Sequence, residues 1–172
     1  IGDELISNSA VKAVSFTGSC EVGNGIQSKT VQRGIKTQLE MGGKNPTIVL
    51  RDSDLNMAAD IVVNAAFFST GQKCTATSRA LIEEPIFEEF VKLLVEKTRK
   101  LRVGNGMEKG VDMGPCVDEG QMKTVLRYIE VGKNEGAKLL CGGNRLTGAG
   151  YVKGFFVEPT IFSEVTPEMT IA

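Results

Sequence analysis

Cys74 lies in the stretch GQKCTATSR (71–79), directly after an apolar run that closes on Phe67 and Phe68. A cysteine kept for packing behaves as a small hydrophobe and has apolar neighbours. This one has Lys73 beside it, Arg79 close by, and glycine and hydroxyl residues around it. A cationic, polar setting suits a thiol that must act as a nucleophile. The other three thiols fit that role less well. Cys141 sits in an apolar run, Cys116 follows Met-Gly-Pro in a loop, and Cys20 falls in the first turn of an expected helix.

Two more places combine residue types that could do chemistry. Glu40, in TQLEMGGKNP, ends an apolar alternating run just before Gly42 and Gly43. α/β folds put ligand clefts at the carboxyl ends of strands, and burial there would raise the carboxyl pKa toward the range useful to a general base. The plain alternative is a solvated glutamate at a strand end. In FTGSCEVGNG (16–25), a strand ending at Gly18 feeds a helix through Ser19. Free backbone N–H groups and a hydroxyl at a positive helix end suit a phosphate or pyrophosphate. No Lys-Ser/Thr pair follows, so this is no Walker loop, and the glycines do not form a GxGxxG fingerprint. Such a turn also serves as a bare strand-to-helix connection.

The chain has 172 residues and no histidine. That removes Ser-His-Asp and Cys-His arrangements and the usual histidine-bearing zinc sites, and no metal site is expected. Any acid-base step falls to a carboxylate, Lys, Tyr or Cys. With 20 Lys and Arg against 21 Asp and Glu, no net charge draws the chain to nucleic acid or to a membrane surface. No apolar run approaches the ~20 residues a bilayer span needs. Four cysteines without a CxxC pair do not form a disulfide framework, and a reducing, cytoplasmic setting is expected. The chain opens without Met and without a signal pattern, as a piece of a longer protein would.

The elements that must position these residues alternate. Strands are expected at 12–18, 34–43, 46–50, 78–84, 137–143 and 155–162, and helices at 19–33, 52–71, after Pro85 and over 121–133. The region 111–120 reads as a loop. The alternation predicts an α/β fold with a largely parallel sheet flanked by helices.

Taken together and in order, FTGS (16–19), LEMGGK (39–44) and GQKCTATSR (71–79) resemble the aldehyde dehydrogenase superfamily. The family runs are Phe-Thr-Gly-Ser, then Leu-Glu-Leu-Gly-Gly-Lys, then Gly-Gln-x-Cys with Ser-Arg. The Glu40-to-Cys74 interval matches too, and the likeness continues through MGPCVDEGQ and the segment from Gly142 onward. The departures are Met41 for the usual Leu, and Cys20 after the Ser where Thr is frequent. The resemblance implies the aldehyde dehydrogenase catalytic-domain fold, incomplete here, with NAD or NADP as cofactor and a small-molecule aldehyde as substrate. It makes Cys74 the nucleophile, forming a thiohemiacetal and then a thioester. Glu40 would activate the hydrolytic water and help deprotonate Cys74. Ser19 would contact the cofactor pyrophosphate, Gly18, Gly42 and Gly43 would let backbone approach the cofactor, and the Cys74 N–H would be an oxyanion donor. Because acyl transfer to coenzyme A needs no activated water, the Glu favours the acid-producing type. The tracts MGGKNP, GQKCTATSR and EMTIA suggest a small carboxylated semialdehyde, such as α-ketoglutarate semialdehyde.

The same resemblance makes residues 1–42 the tail of the cofactor-binding domain and 43–172 a truncated catalytic domain. The full-length parent is then expected to be a homodimer or homotetramer, and the isolated chain to be inactive. Two rival functions stand beside this: a non-catalytic fragment or degenerate scaffold, and a thiol acyltransferase that uses no nicotinamide.

Overall fold

The computed structural model describes residues 1–172 and divides the chain into two compact units, Ile1–Gly43 and Lys44–Ala172. In the first unit a short helix α1 (Gly2–Ser7) precedes β1 (Ala13–Gly18), α2 (Cys20–Gln32) and β2 (Lys36–Met41). β1 and β2 pair in parallel with Thr17 opposite Glu40 and Gly18 opposite Met41, the helix serving as the crossover that parallel pairing requires. Ser19 caps α2, its hydroxyl accepting from the Val22 N–H at 3.3 Å. Gly23 on the inner side of α2 leaves room for the Met41 thioether, which any Cβ would strike. Close helix–strand contact is the reason for the glycine.

The second unit begins with another β-α-β crossover, β3 (Asn45–Val49), α3 (Leu55–Phe67) and β4 (Thr77–Ile82). It continues through α4 (Phe87–Arg99), α5 (Glu119–Asn134), β5 (Lys138–Cys141) and β6 (Ile161–Ser163), the last two antiparallel. Asp54 and Asp118 cap α3 and α5 through their carboxylates, each satisfying an N–H that the helix itself leaves free. Val49, Ala59, Val62, Val63, Phe90 and Leu94 form one core, beneath α3 and α4. Cys116, Met122, Ile129 and Val157 form a second, beneath α5. No helix is long and apolar enough to cross a membrane.

Phe90 is fully buried, so Phe90→Ala should cost ~3–5 kcal/mol through lost burial and the cavity left behind. Denaturant unfolding would show the midpoint shift. A loss below about 1 kcal/mol would mean that the site collapses around the vacancy.

The α/β class read from the alternation holds, but the strands join two by two, in two parallel pairs and one antiparallel pair, rather than in one sheet. Three local expectations change. The strand expected over 155–162 shrinks to Ile161–Ser163, with Val157 only bridging Arg145, because Pro159 has no N–H to offer a ladder. The strand expected over 137–143 stops at Cys141, since Gly142 and Gly143 turn to φ 75° and 101°. The helix expected over 52–71 ends at Phe67, and a tight turn takes over from Phe68 to Gly71. Helix α1 has no counterpart in the sequence reading.

Candidate functional site

That tight turn delivers Cys74. Ser69, Thr70 and Gly71 run consecutively in the left-handed region, at φ 55°, 59° and 66°. The glycine adopts this freely, whereas Ser and Thr do so at a cost of order 1–3 kcal/mol each. Strain of that kind persists only where surroundings hold it. Here the Thr70 hydroxyl donates to the Pro115 carbonyl at 3.1 Å, and the Gln72 Oε1 accepts from the Val117 N–H at 3.2 Å. The chain thereby leaves the end of α3 and reaches a turn closed by the Ala76 N–H donating to the Lys73 carbonyl at 3.1 Å. Cys74 sits within this turn with its thiol free and exposed, while Ala76 is buried behind it.

The turn is fastened to the start of β3. The Asn45 Nδ2 donates to the Cys74 carbonyl at 2.6 Å and to the Ala76 carbonyl at 3.1 Å. Arg79 donates to the Lys44 carbonyl at 2.7 Å, and the hydroxyls of Thr47 and Thr77 meet at 2.9 Å. Register slips by one residue between Asn45 and Pro46, so Ser78 is looped out of the ladder. A bulge beside a reactive group is a common means of re-aiming side chains. Burial, and after it the Arg79 charge, holds the Lys44 ammonium below the ordinary lysine value. Neither cation has a carboxylate partner.

The remaining thiols differ. Cys116 and Cys141 are pushed up from the usual thiol range, chiefly by burial. Cys20 is exposed, its Sγ facing the Gly42 carbonyl at 3.6 Å.

In the first unit, β2 alternates in burial, and Glu40 shares the exposed face with Lys36 and Gln38. The Gln38 Nε2 donates to Glu40 Oε1 at 3.3 Å. Gly18, Ser19, Gly42 and Gly43 are all exposed. Val22 and Gly23 donate to Ser19, which leaves the Cys20 and Glu21 N–H groups at the open end of α2. Those two donors and the helix dipole fit a pyrophosphate, so the residues present are compatible with a dinucleotide.

All of residues 1–172 match the aldehyde dehydrogenase family. The chain belongs to that family. It is 48% identical over 172 residues to the alpha-ketoglutaric semialdehyde dehydrogenase of Bacillus subtilis, covering all of this chain and 35% of that protein. It is 49% identical over 173 residues to the 2,5-dioxopentanoate dehydrogenase of Saccharolobus solfataricus, covering 99% of this chain and 35% of the relative. Among solved structures, an NAD-dependent aldehyde dehydrogenase from Sinorhizobium meliloti superimposes with a TM-score of 0.92 at 34% identity, over 99% of this chain and 33% of its own. The chain thus spans about a third of the length of the proteins it matches.

Asn45 and Thr70 carry no role in the sequence reading, and Gln72 enters it only as part of the Gly-Gln-x-Cys run. The Asn-Pro pair at 45–46 was the available signal for Asn45, since such a pair marks a turn or strand boundary where a side chain can stand in for backbone donors.

Proposed function

We propose that the protein containing this chain oxidises an aldehyde to a carboxylic acid with NAD or NADP, through a covalent intermediate on Cys74. One observation carries the reading: within a family motif, an exposed thiol stands on a turn whose strained approach is braced at Thr70, Gln72 and Asn45. Strain held in this way accumulates at functional sites. The Cys74 Sγ attacks the aldehyde carbon, and the Cys74 N–H receives the developing oxyanion. A bound nicotinamide supplies the hydride acceptor. Glu40 takes a proton from the water that hydrolyses the thioester and assists removal of the thiol proton, and this chain itself offers no imidazole for either task. The assignment of Glu40 rests on motif order, and its exposed, lightly bonded carboxylate is free to serve.

Ser19, with Gly18 and the open N-terminus of α2, holds the cofactor pyrophosphate, and Gly42 and Gly43 give the cofactor close backbone approach. Residues 1–42 are then the tail of the cofactor domain and 43–172 the main part of the catalytic domain. The substrate class best supported is α-ketoglutarate semialdehyde, which agrees with the names of the Bacillus and Saccharolobus relatives. A panel of aldehydes given to the full-length protein should then return its highest kcat/KM for that compound. The parent assembles as a homodimer or homotetramer, and the isolated 172-residue chain forms no NAD(P)H.

Thiol labelling tests the nucleophile directly. Alkylation of the native chain, followed by peptide mapping, should modify Cys74 first and Cys20 more slowly. Cys116, which is buried, and Cys141, which is half-buried, should label more slowly still near neutral pH, because burial limits access and raises both thiols above the usual range. Equal rates at Cys74 and Cys20 would favour the scaffold reading.

A further inference from the structure

Cys74 receives one hydrogen bond on its own atoms, and it comes from a side chain: the Asn45 Nδ2, 2.6 Å from the Cys74 carbonyl oxygen. The closing bond from Ala76 to Lys73 makes Cys74 the second residue of a four-residue turn. Its carbonyl therefore belongs to the turn's central peptide, the unit whose rotation interconverts the two common turn types while the closing bond stays in place. Rotation of that peptide changes ψ at Cys74 and φ at Thr75 together and swings the Cys74 carbonyl to the other side of the turn. The closing bond alone does not prevent it.

Asn45 is well placed to prevent it. It is the first residue of β3, opposite Thr77, and the carbonyls of Cys74 and Ala76 lie just before β4 begins. The next residue, Pro46, has no N–H to contribute. The amide reaches past the strand end and caps both carbonyls. Both partners are acceptors, so the NH2 end of the side chain must face them.

We infer that Asn45 is a positioning residue for the nucleophile, latching the carbonyls of Cys74 and Ala76 to the start of β3 so that the turn holds the Cys74 sulfur and N–H in one place. This rests on the assignment of Cys74 given above and adds to it a residue outside the reacting groups.

The test uses the full-length protein that includes this chain, with variants Asn45→Ala, Asn45→Asp and Cys74→Ser. A latch that sets geometry acts on kcat. Asn45→Ala should lower kcat ~10–100-fold, as ångström-scale misplacement of a reacting group does, with KM for aldehyde and cofactor within about 3-fold. Asn45→Asp preserves shape but turns a double donor into an acceptor facing two carbonyls, so it should be the more impaired of the two near neutral pH. Its activity relative to wild type should recover towards about pH 5.5, where the introduced carboxyl, favoured in its neutral form by the facing carbonyls, becomes a donor. Cys74 alkylation in the isolated chain should fall in the same order.

An Asn45→Ala enzyme with unchanged kcat, alongside an inactive Cys74→Ser enzyme, overturns the latch and leaves the nucleophile standing. Equal losses in both Asn45 variants at every pH, accompanied by matching losses in melting temperature, also overturn it, because Asn45 would then serve stability alone. A fully active Cys74→Ser enzyme removes the assignment of the nucleophile itself.

Discussion

Cys74→Ser in the full-length protein is expected to abolish aldehyde oxidation, lowering kcat by ~10³-fold or more while the protein stays folded. The exchange is nearly isosteric, and the thiol is exposed without a hydrogen bond of its own, so little stability should be lost. The chemical loss is large because a hydroxyl needs a strong neighbouring base before it can attack a carbonyl. A carboxylate such as Glu40 is too weak a base to activate a serine hydroxyl as it would a thiol. The variant should still bind the dinucleotide, since the residues assigned to that task, Gly18 and Ser19, lie in the first unit. Initial rates of NAD(P)H formation and cofactor binding, measured side by side, separate the two effects. Turnover within about tenfold of wild type would exclude the covalent route, and loss of cofactor binding together with turnover would point to misfolding.

Glu40→Gln produces a second large effect, of a different kind. A glutamine cannot accept the proton of the hydrolytic water, so steady-state turnover should fall ~10²–10⁴-fold, the range general-base catalysis contributes. Hydride transfer precedes hydrolysis, so rapid mixing should still show a burst of NAD(P)H close to one equivalent per site. That burst should be slower than in the wild type, to the extent that Glu40 also assists removal of the thiol proton. A slow steady phase as the thioester clears should follow. Glu40 is exposed and has one weak partner, Gln38, so the fold should tolerate the change. A normal steady state would remove Glu40 from the mechanism. Coenzyme A offered to the blocked acyl-enzyme would show whether another nucleophile can release the acyl group.

These two variants address residues that were legible as candidates in the bare sequence, and the reasons are local. Three runs, FTGS, LEMGGK and GQKCTATSR, stand in the family's order and spacing. Helix starts were equally legible at Ser19, where a short polar side chain meets an unsatisfied N–H. Amphipathic spacing placed α4 after Pro85, with Phe90 and Leu94 turned inward. Each of these depends on residues within a few positions of one another.

Other features depend on partners brought from elsewhere. The expected strand at 155–162 failed because apolar content alone cannot show that Pro159 interrupts the ladder where pairing would occur. Whether Glu40 would be buried was equally unreadable. Its place on the outer face of β2 follows from which side of that strand the first unit covers. Residues Ser69 to Gly71 look like an ordinary helix end with a glycine stop, yet two non-glycine residues take left-handed backbone because Thr70 and Gln72 are held by the loop at 114–117.

What the sequence by itself determined was the family and the α/β class, and it named a candidate thiol and carboxylate, because all of these are written in residue type and spacing. What only the tertiary structure decided was how Cys74 is held. The Asn45 latch joins segments about thirty residues apart, and a hydrogen bond of that reach depends on strand register and on where a distant turn's carbonyls come to lie, neither of which local pattern encodes.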